Sequence, residues 1–133
     1  MPSIFSRIIA GEIPCYKVAE NKDFLAFLDA FPLKRGHVLV VPKNEVDYIF
    51  DLDDETYLGL MAFSKKIAVA IKKMIPCNRV AMTVLGLEIS HAHVHLIPMN
   101  TTNDVNFANE KLKLTPDEFK EIALGISEKF SEN

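Results

Sequence analysis

The sequence predicts an α+β protein: an antiparallel five-stranded sheet with one long helix packed on it, a short helix before the sheet and another after it. Three observations support this. Five short apolar segments, rich in β-branched residues, are bounded by turn-forming residues. One long stretch repeats its apolar residues at three-to-four spacing. Strands and helices are segregated more than they alternate, which fits helices laid over an antiparallel sheet.

The elements follow in order. Ser3 can cap a short helix through SIFSRIIA, Gly11 can end it, and Pro14 forces an extended exit. Tyr16–Glu20 and Phe24–Asp29 read as strands, and Asn21-Lys22-Asp23 between them makes a hairpin turn. HVLVVP, from His37 to Pro42, is too short and too β-branched for a helix and reads as a buried strand. Asp53 or Asp54 opens the long helix. Its buried stripe is Tyr57, Leu60, Met61, Ile67, Ala68, Ile71 and Met74, and Lys65, Lys66, Lys72 and Lys73 lie off it. Arg79–Leu85 and His91–Pro98 are the last strands, followed by the polar loop MNTTNDVN. Thr115-Pro116-Asp117-Glu118 is a capping box for a final helix with stripe Phe119, Ile122, Ala123, Ile126 and Phe130; Gly125 weakens that helix.

Composition narrows the function. With 133 residues and 49% hydrophobic content, the chain is long enough for a core of its own. Fifteen basic and 18 acidic residues give a net charge of −3, hence no broad basic face, and no nucleic-acid partner is expected. A small anionic ligand remains compatible with this balance. Cys15 and Cys77 show no CxxC spacing and fit a reducing compartment. The N-terminal MPSIFSRIIAGEIP has no long apolar run, so a cytoplasmic location without membrane association is expected.

Three of the four histidines fall in one run, HAHVHLIP, as His91, His93 and His95. On a strand, alternation puts the three imidazoles on one face and Ala92, Val94 and Leu96 on the other. Packing alone explains this poorly, because valine or threonine would serve a strand better. One chemical reading is a metal-dependent hydrolase using the HxH pair. Same-face residues are roughly 6.5–7 Å apart, so His91 and His95 start about 13 Å apart. A single zinc with ligands at ~2.0–2.1 Å cannot easily collect all three. The other reading is an extended phosphate substrate. Neutral imidazole attacks phosphorus, and a neighbouring ring donates to anionic oxygens.

HAHVHLIP resembles the His-φ-His-φ-His-φ-φ pattern, with φ apolar, of the histidine-triad family. SIFSRIIAGEIP is similar to that family's N-terminal segment, and FLAFLDAFPLKRGHVLVVPK to its central strand–loop–strand segment. The resemblance implies a single domain over residues 1–133, with its core at about 3–98 and a C-terminal loop and helix at 99–133. It also implies a homodimer whose sheets join. The implied ligand is a purine nucleoside phosphate, with no cofactor. The implied reaction is that of a nucleotide phosphoramidase or a dinucleoside polyphosphate hydrolase, acting at the α-phosphorus through a covalent nucleotidyl-histidine.

By the same resemblance, His93 is the nucleophile, His91 and His95 flank it, and His37 lies near the reacting centre. Asp29 matches the acceptor for the ribose hydroxyls, although it could instead cap the loop Ala30-Phe31-Pro32. Phe5, Ile8 and Phe27 match the apolar wall around the base. Three departures stand out. Where many relatives hold a structural zinc through Cys-x-x-Cys and a histidine, this chain has Ser3, Ser6 and Glu45, which argues that it needs no zinc; no metal ligand is assigned. Thr83 stands where a polar amide often contacts phosphate. Glu88, in GLEIS, faces or flanks the anion site. The last two departures motivate an alternative, a nucleotide-binding sensor or scaffold with weak or no catalysis.

Overall fold

The computed structural model describes residues 2–132. The elements are α1 (Ile4–Ile9), β1 (Lys17–Glu20), β2 (Phe24–Leu28), β3 (Val38–Pro42), α2 (Asp54–Met74), β4 (Arg79–Thr83), β5 (Val94–Met99) and α3 (Pro116–Lys129), with short 3-10 turns at Ile49–Asp51 and Thr102–Val105. The five strands form one antiparallel sheet in the order β1-β2-β3-β5-β4. The α+β architecture is the one predicted.

Local chemistry accounts for the helix ends. Ser3 Oγ accepts the Ser6 N–H at 3.0 Å and caps α1. Asp53, rather than Asp54, caps α2 by accepting the Thr56 N–H at 2.7 Å. Thr115 and Glu118 form both halves of the capping box on α3. In the β1–β2 turn, Asn21 Oδ1 accepts the N–H groups of Asp23 and Phe24 at 2.9 and 2.8 Å.

Alternation divides the sheet into two faces. Ala26, Leu28, Val38, Val40, Val94 and Leu96 point to one side and pack with Leu60, Phe63, Ile67 and Ile71 of α2 and Ile122 and Ile126 of α3. Each such buried Val, Leu, Ile or Phe side chain contributes about 1.5–3 kcal/mol. Leu25, Phe27, Leu39 and Val41 point to the other side, where Phe5 of α1 covers them. The sequence therefore supplies two apolar faces but only enough helix to close one of them.

The last strand differs from expectation. Pairing begins at Val94, so of the three histidines only His95 lies within β5. Upstream, the backbone turns to other partners: His91 N–H bonds Ile89 O at 2.9 Å, and Ala92 N–H bonds Val46 O at 2.8 Å. His37 likewise sits one residue before β3, positioned by Gly36 at φ +90°, a conformation that favours glycine. A Cβ at Gly36 would also stand 2.9 Å from Ile75 Cγ1. Cys15 and Cys77 are free thiols. No helix among the described residues is long and apolar enough to cross a membrane.

Gly125, which costs α3 intrinsic stability, has a packing reason: a Cβ there would lie 2.9 Å from Met74 Cγ on α2. Gly125→Ala should therefore lose about 1 kcal/mol, because overpacking of ~1–3 kcal/mol exceeds the ~0.8–1 kcal/mol propensity gain. In a Met74→Ala background the same change should stabilise. Urea denaturation of the two singles and the double checks both signs, and a stabilising Gly125→Ala single would refute the packing account.

Candidate functional site

The second face of the sheet opens beside α1 into a cavity of about 1020 Å3. Phe5 and Ile8 of α1, Phe27 and Asp29 at the end of β2, His37, His93 and His95 all line it. Glu88 also lines it but is exposed, at the rim. Thr83 pairs in register with His95, yet stands outside the lining. His91 is fully buried beneath, its ring 5.8 Å from that of Phe5. Of the ten residues singled out from the sequence, eight thus reach one cavity, His91 supports it from below, and Thr83 lies on the neighbouring strand.

Hydrogen-bond partners fix which ring nitrogen carries each proton. The Leu33 N–H donates to His37 Nδ1 at 3.0 Å, so the His37 proton is on Nε2. That Nε2–H lies 3.0 Å from His95 Nδ1, which accepts, and 3.5 Å from Asp29 Oδ2. The proton of His95 is then on its own Nε2. His91 Nε2–H donates to Pro42 O at 2.8 Å, while its Nδ1 accepts from Ser3 Oγ at 2.8 Å. His93 Nδ1–H donates to His91 O at 2.8 Å, which leaves a lone pair on His93 Nε2. Two neighbouring rings, with centroids 4.9 Å apart, therefore carry opposite equipment: a lone pair on His93 and a donor on His95.

Burial keeps His37, His93 and His95 neutral. Desolvation pushes the pKa of His93 below its ordinary value, helped by the neighbouring His91 and opposed by the bond to His91 O. Desolvation and then His93 lower His95 to about 4, and desolvation, His95 and Lys111 lower His37 to about 3. Burial raises the Asp29 carboxyl, against the Phe31 N–H and the Lys111 charge, which lower it. Asp29 also caps its loop, since Oδ1 accepts the Phe31 N–H at 2.9 Å, while Oδ2 faces His37.

Asp29, His37 and His95 come close enough to suggest a metal cage, with ligand atoms within 4.8 Å of one another. The Leu33 N–H opposes that use. It occupies His37 Nδ1 and so places hydrogen, not a lone pair, on the Nε2 that faces the others. The position of Ser3, Ser6 and Glu45 fits zinc no better. It offers two hydroxyls, an exposed carboxylate and a His91 Nδ1 already engaged by Ser3, whereas zinc sites are built from thiolate, imidazole and carboxylate groups.

Sequence reasoning did not find Phe107 and Lys111. The Phe107 ring stands edge-on to His95 at 4.9 Å, and Lys111 lines the cavity while donating to Phe107 O and Asn109 O. Both lie in a loop without periodicity, so no local pattern marks them. The Leu112 N–H to Pro32 O bond and the Lys34–Asp104 ion pair help to bring that loop over the site.

Comparison with known proteins agrees with this geometry. The family model for the HIT domain matches residues 10–102. An uncharacterized HIT-like protein of Borreliella burgdorferi is 35% identical, covering 93% of this chain and 95% of its own. The adenosine 5′-monophosphoramidase of Schizosaccharomyces pombe is 34% identical, covering 97% and 98%. The crystal structure of a HIT-like protein from Bartonella henselae, described as involved in cell-cycle regulation, superposes with a TM-score of 0.83 at 28% identity over 96% of each chain. Since the family model spans well over half of the sequence and both relatives align almost end to end, this chain belongs to the HIT, or histidine-triad, family.

Proposed function

We propose that the protein cleaves a purine nucleoside phosphoramidate or a dinucleoside polyphosphate at the α-phosphorus, with His93 as nucleophile. The observation that carries this is the His93 Nδ1–H bond to His91 O, which leaves a neutral imidazole lone pair beside an open cavity. Similarity to an adenosine 5′-monophosphoramidase supports the substrate class and the purine base.

Phe5, Ile8 and Phe27 supply an apolar wall for the base, and Asp29 Oδ2 is an acceptor for a ribose hydroxyl. His93 Nε2 attacks the α-phosphorus, and the bond to the leaving nitrogen or oxygen breaks. The anionic substrate and the Asp29 carboxylate favour an added proton at His95 Nδ1, with the His37 Nε2–H turning from that nitrogen to Asp29 Oδ2, 3.5 Å away. His95 then delivers its Nε2 proton to the leaving group and is left neutral, while His37, whose Nδ1 is held by Leu33, keeps its own proton on Nε2. The same His95 nitrogen then takes a proton from water, which resolves the nucleotidyl-His93. Exposed Glu88 stays at the rim, away from the charge that develops at phosphorus.

The edge strand β4, followed by the exposed Leu85 and Leu87, is the place for a second copy to extend the sheet into a homodimer. Thr83 lies outside the cavity lining, which favours as second reading a binding module with little or no turnover.

His93→Ala or His93→Asn should reduce turnover of adenosine phosphoramidates by at least ~10³-fold while adenosine monophosphate still binds within a few-fold of wild type. Undiminished turnover would remove His93 from the chemistry, and a wild type that binds but never turns over would favour the binding module. The pH profile supplies a second test. Protonation abolishes the His93 lone pair, and its folded pKa lies below the ordinary 6.5, so the acid limb of kcat/KM should fall below pH 6.5. An acid limb centred at or above 6.5 contradicts a buried neutral nucleophile.

A further inference from the structure

We infer that Glu45, Ser3 and Ser6 form a metal-free clasp that gives the His91 acceptor nitrogen its donor and seats α1 against the His93 ring. Its catalytic consequence rests on the reading above, but the clasp itself can be tested without it. Glu45 Oε1 accepts from the Ser3 backbone N–H at 2.7 Å and from the Ser6 hydroxyl at 2.6 Å. Ser3 Oγ accepts the Ser6 N–H and gives its own hydrogen to His91 Nδ1 at 2.8 Å. Pro42 O, which can only accept, holds the His91 proton on Nε2 at 2.8 Å, so Nδ1 is the acceptor that the Ser3 hydroxyl fills.

Every hydrogen in this chain has one destination, so the bonds are mutually consistent. The Ser6 hydroxyl lies 3.5 Å from His91 Nδ1 but donates to Glu45 at the shorter distance. Glu45 Oε1 is 4.0 Å from His91 Nδ1 and therefore acts on the ring through Ser3, not by direct contact. Burial of His91 makes its two ring bonds obligatory, since an unpartnered buried nitrogen is costly. The backbone carbonyl of this same His91 holds the proton of His93.

The clasp also sets a wall of the cavity. Between Ser3 and Ser6 on α1 sits Phe5, whose ring is edge-on to His93 at 4.9 Å and to Phe27 at 5.7 Å. A six-residue helix is too short to hold itself in place. Its first turn is anchored by Glu45, which belongs to the loop after β3. Glu45, Ser3 and Ser6 are thus positioning residues. They touch neither the substrate region of His93 nor the donor on His95, but they fix the ring and the wall between which a nucleoside would lie.

The test is imidazole ¹⁵N NMR on the full chain, with adenosine monophosphate as the titrated probe. Wild type should show His91 with Nδ1 as acceptor and Nε2 protonated, unchanged by chelator. Ser3→Ala should shift the His91 Nδ1 signal as that acceptor nitrogen loses its donor, with Nε2 still protonated against Pro42 O, and Ser3→Thr, which keeps a hydroxyl, should restore it. Glu45→Ala should weaken adenosine monophosphate binding roughly three- to tenfold. Glu45→Gln, which keeps an acceptor oxygen, should lie between, and it serves if Glu45→Ala fails to fold. Unchanged His91 signals in Ser3→Ala, or wild-type signals or affinity lost on chelation, would overturn the clasp. A wild type that binds adenosine monophosphate with the stated His91 tautomer but cleaves nothing would sink the proposed reaction and leave the clasp standing.

Discussion

The site depends on one hydrogen bond, from His93 Nδ1–H to the carbonyl of His91. An imidazole has one lone pair when neutral, and its location is decided by what the other nitrogen does. A carbonyl can only accept, so it forces hydrogen onto Nδ1 and leaves Nε2 bare. The bond exists because the chain departs from the ladder before Val94, sending the Ala92 N–H to Val46 and leaving the His91 carbonyl free of a strand partner. In a continued strand that carbonyl would have belonged to a neighbour or to solvent.

The same logic of one-way partners runs through the cluster. The Leu33 N–H can only donate, so it orients His37, and His37 then orients His95. Pro42 O can only accept, so it orients His91, with the Ser3 hydroxyl filling the other nitrogen. A neutral imidazole can adopt two tautomers, and backbone groups at three points remove that freedom here. Desolvation completes the arrangement by keeping positive charge off His37, His93 and His95 until an anion arrives.

Much of this fold was legible in sequence. The caps Ser3 and Thr115, the stripe of α2 and the short apolar runs of β2 and β3 act over a few residues, and local patterns report local forces. The strand proposed for His91–Pro98 shows where this fails. Alternation correctly placed Val94 and Leu96 in the core, but it could not reveal that Ala92 would bond a distant loop. Gly125 reads in sequence as a flaw in a helix. It is a close approach to Met74, a contact fifty-one positions away that no window along the chain contains.

The candidate site divides along the same line. The sequence by itself determined the architecture, the two apolar faces of the sheet and the set of imidazoles, because these follow from residue type and spacing. Tertiary structure alone decided which nitrogen of each ring carries hydrogen. It also decided that Phe107 and Lys111 close over His95, and that Ser3, Ser6 and Glu45 meet as one hydrogen-bonded group instead of a metal site. The physical reason is that a proton's position depends on a partner within about 3 Å, and here those partners come from residues up to 88 positions apart.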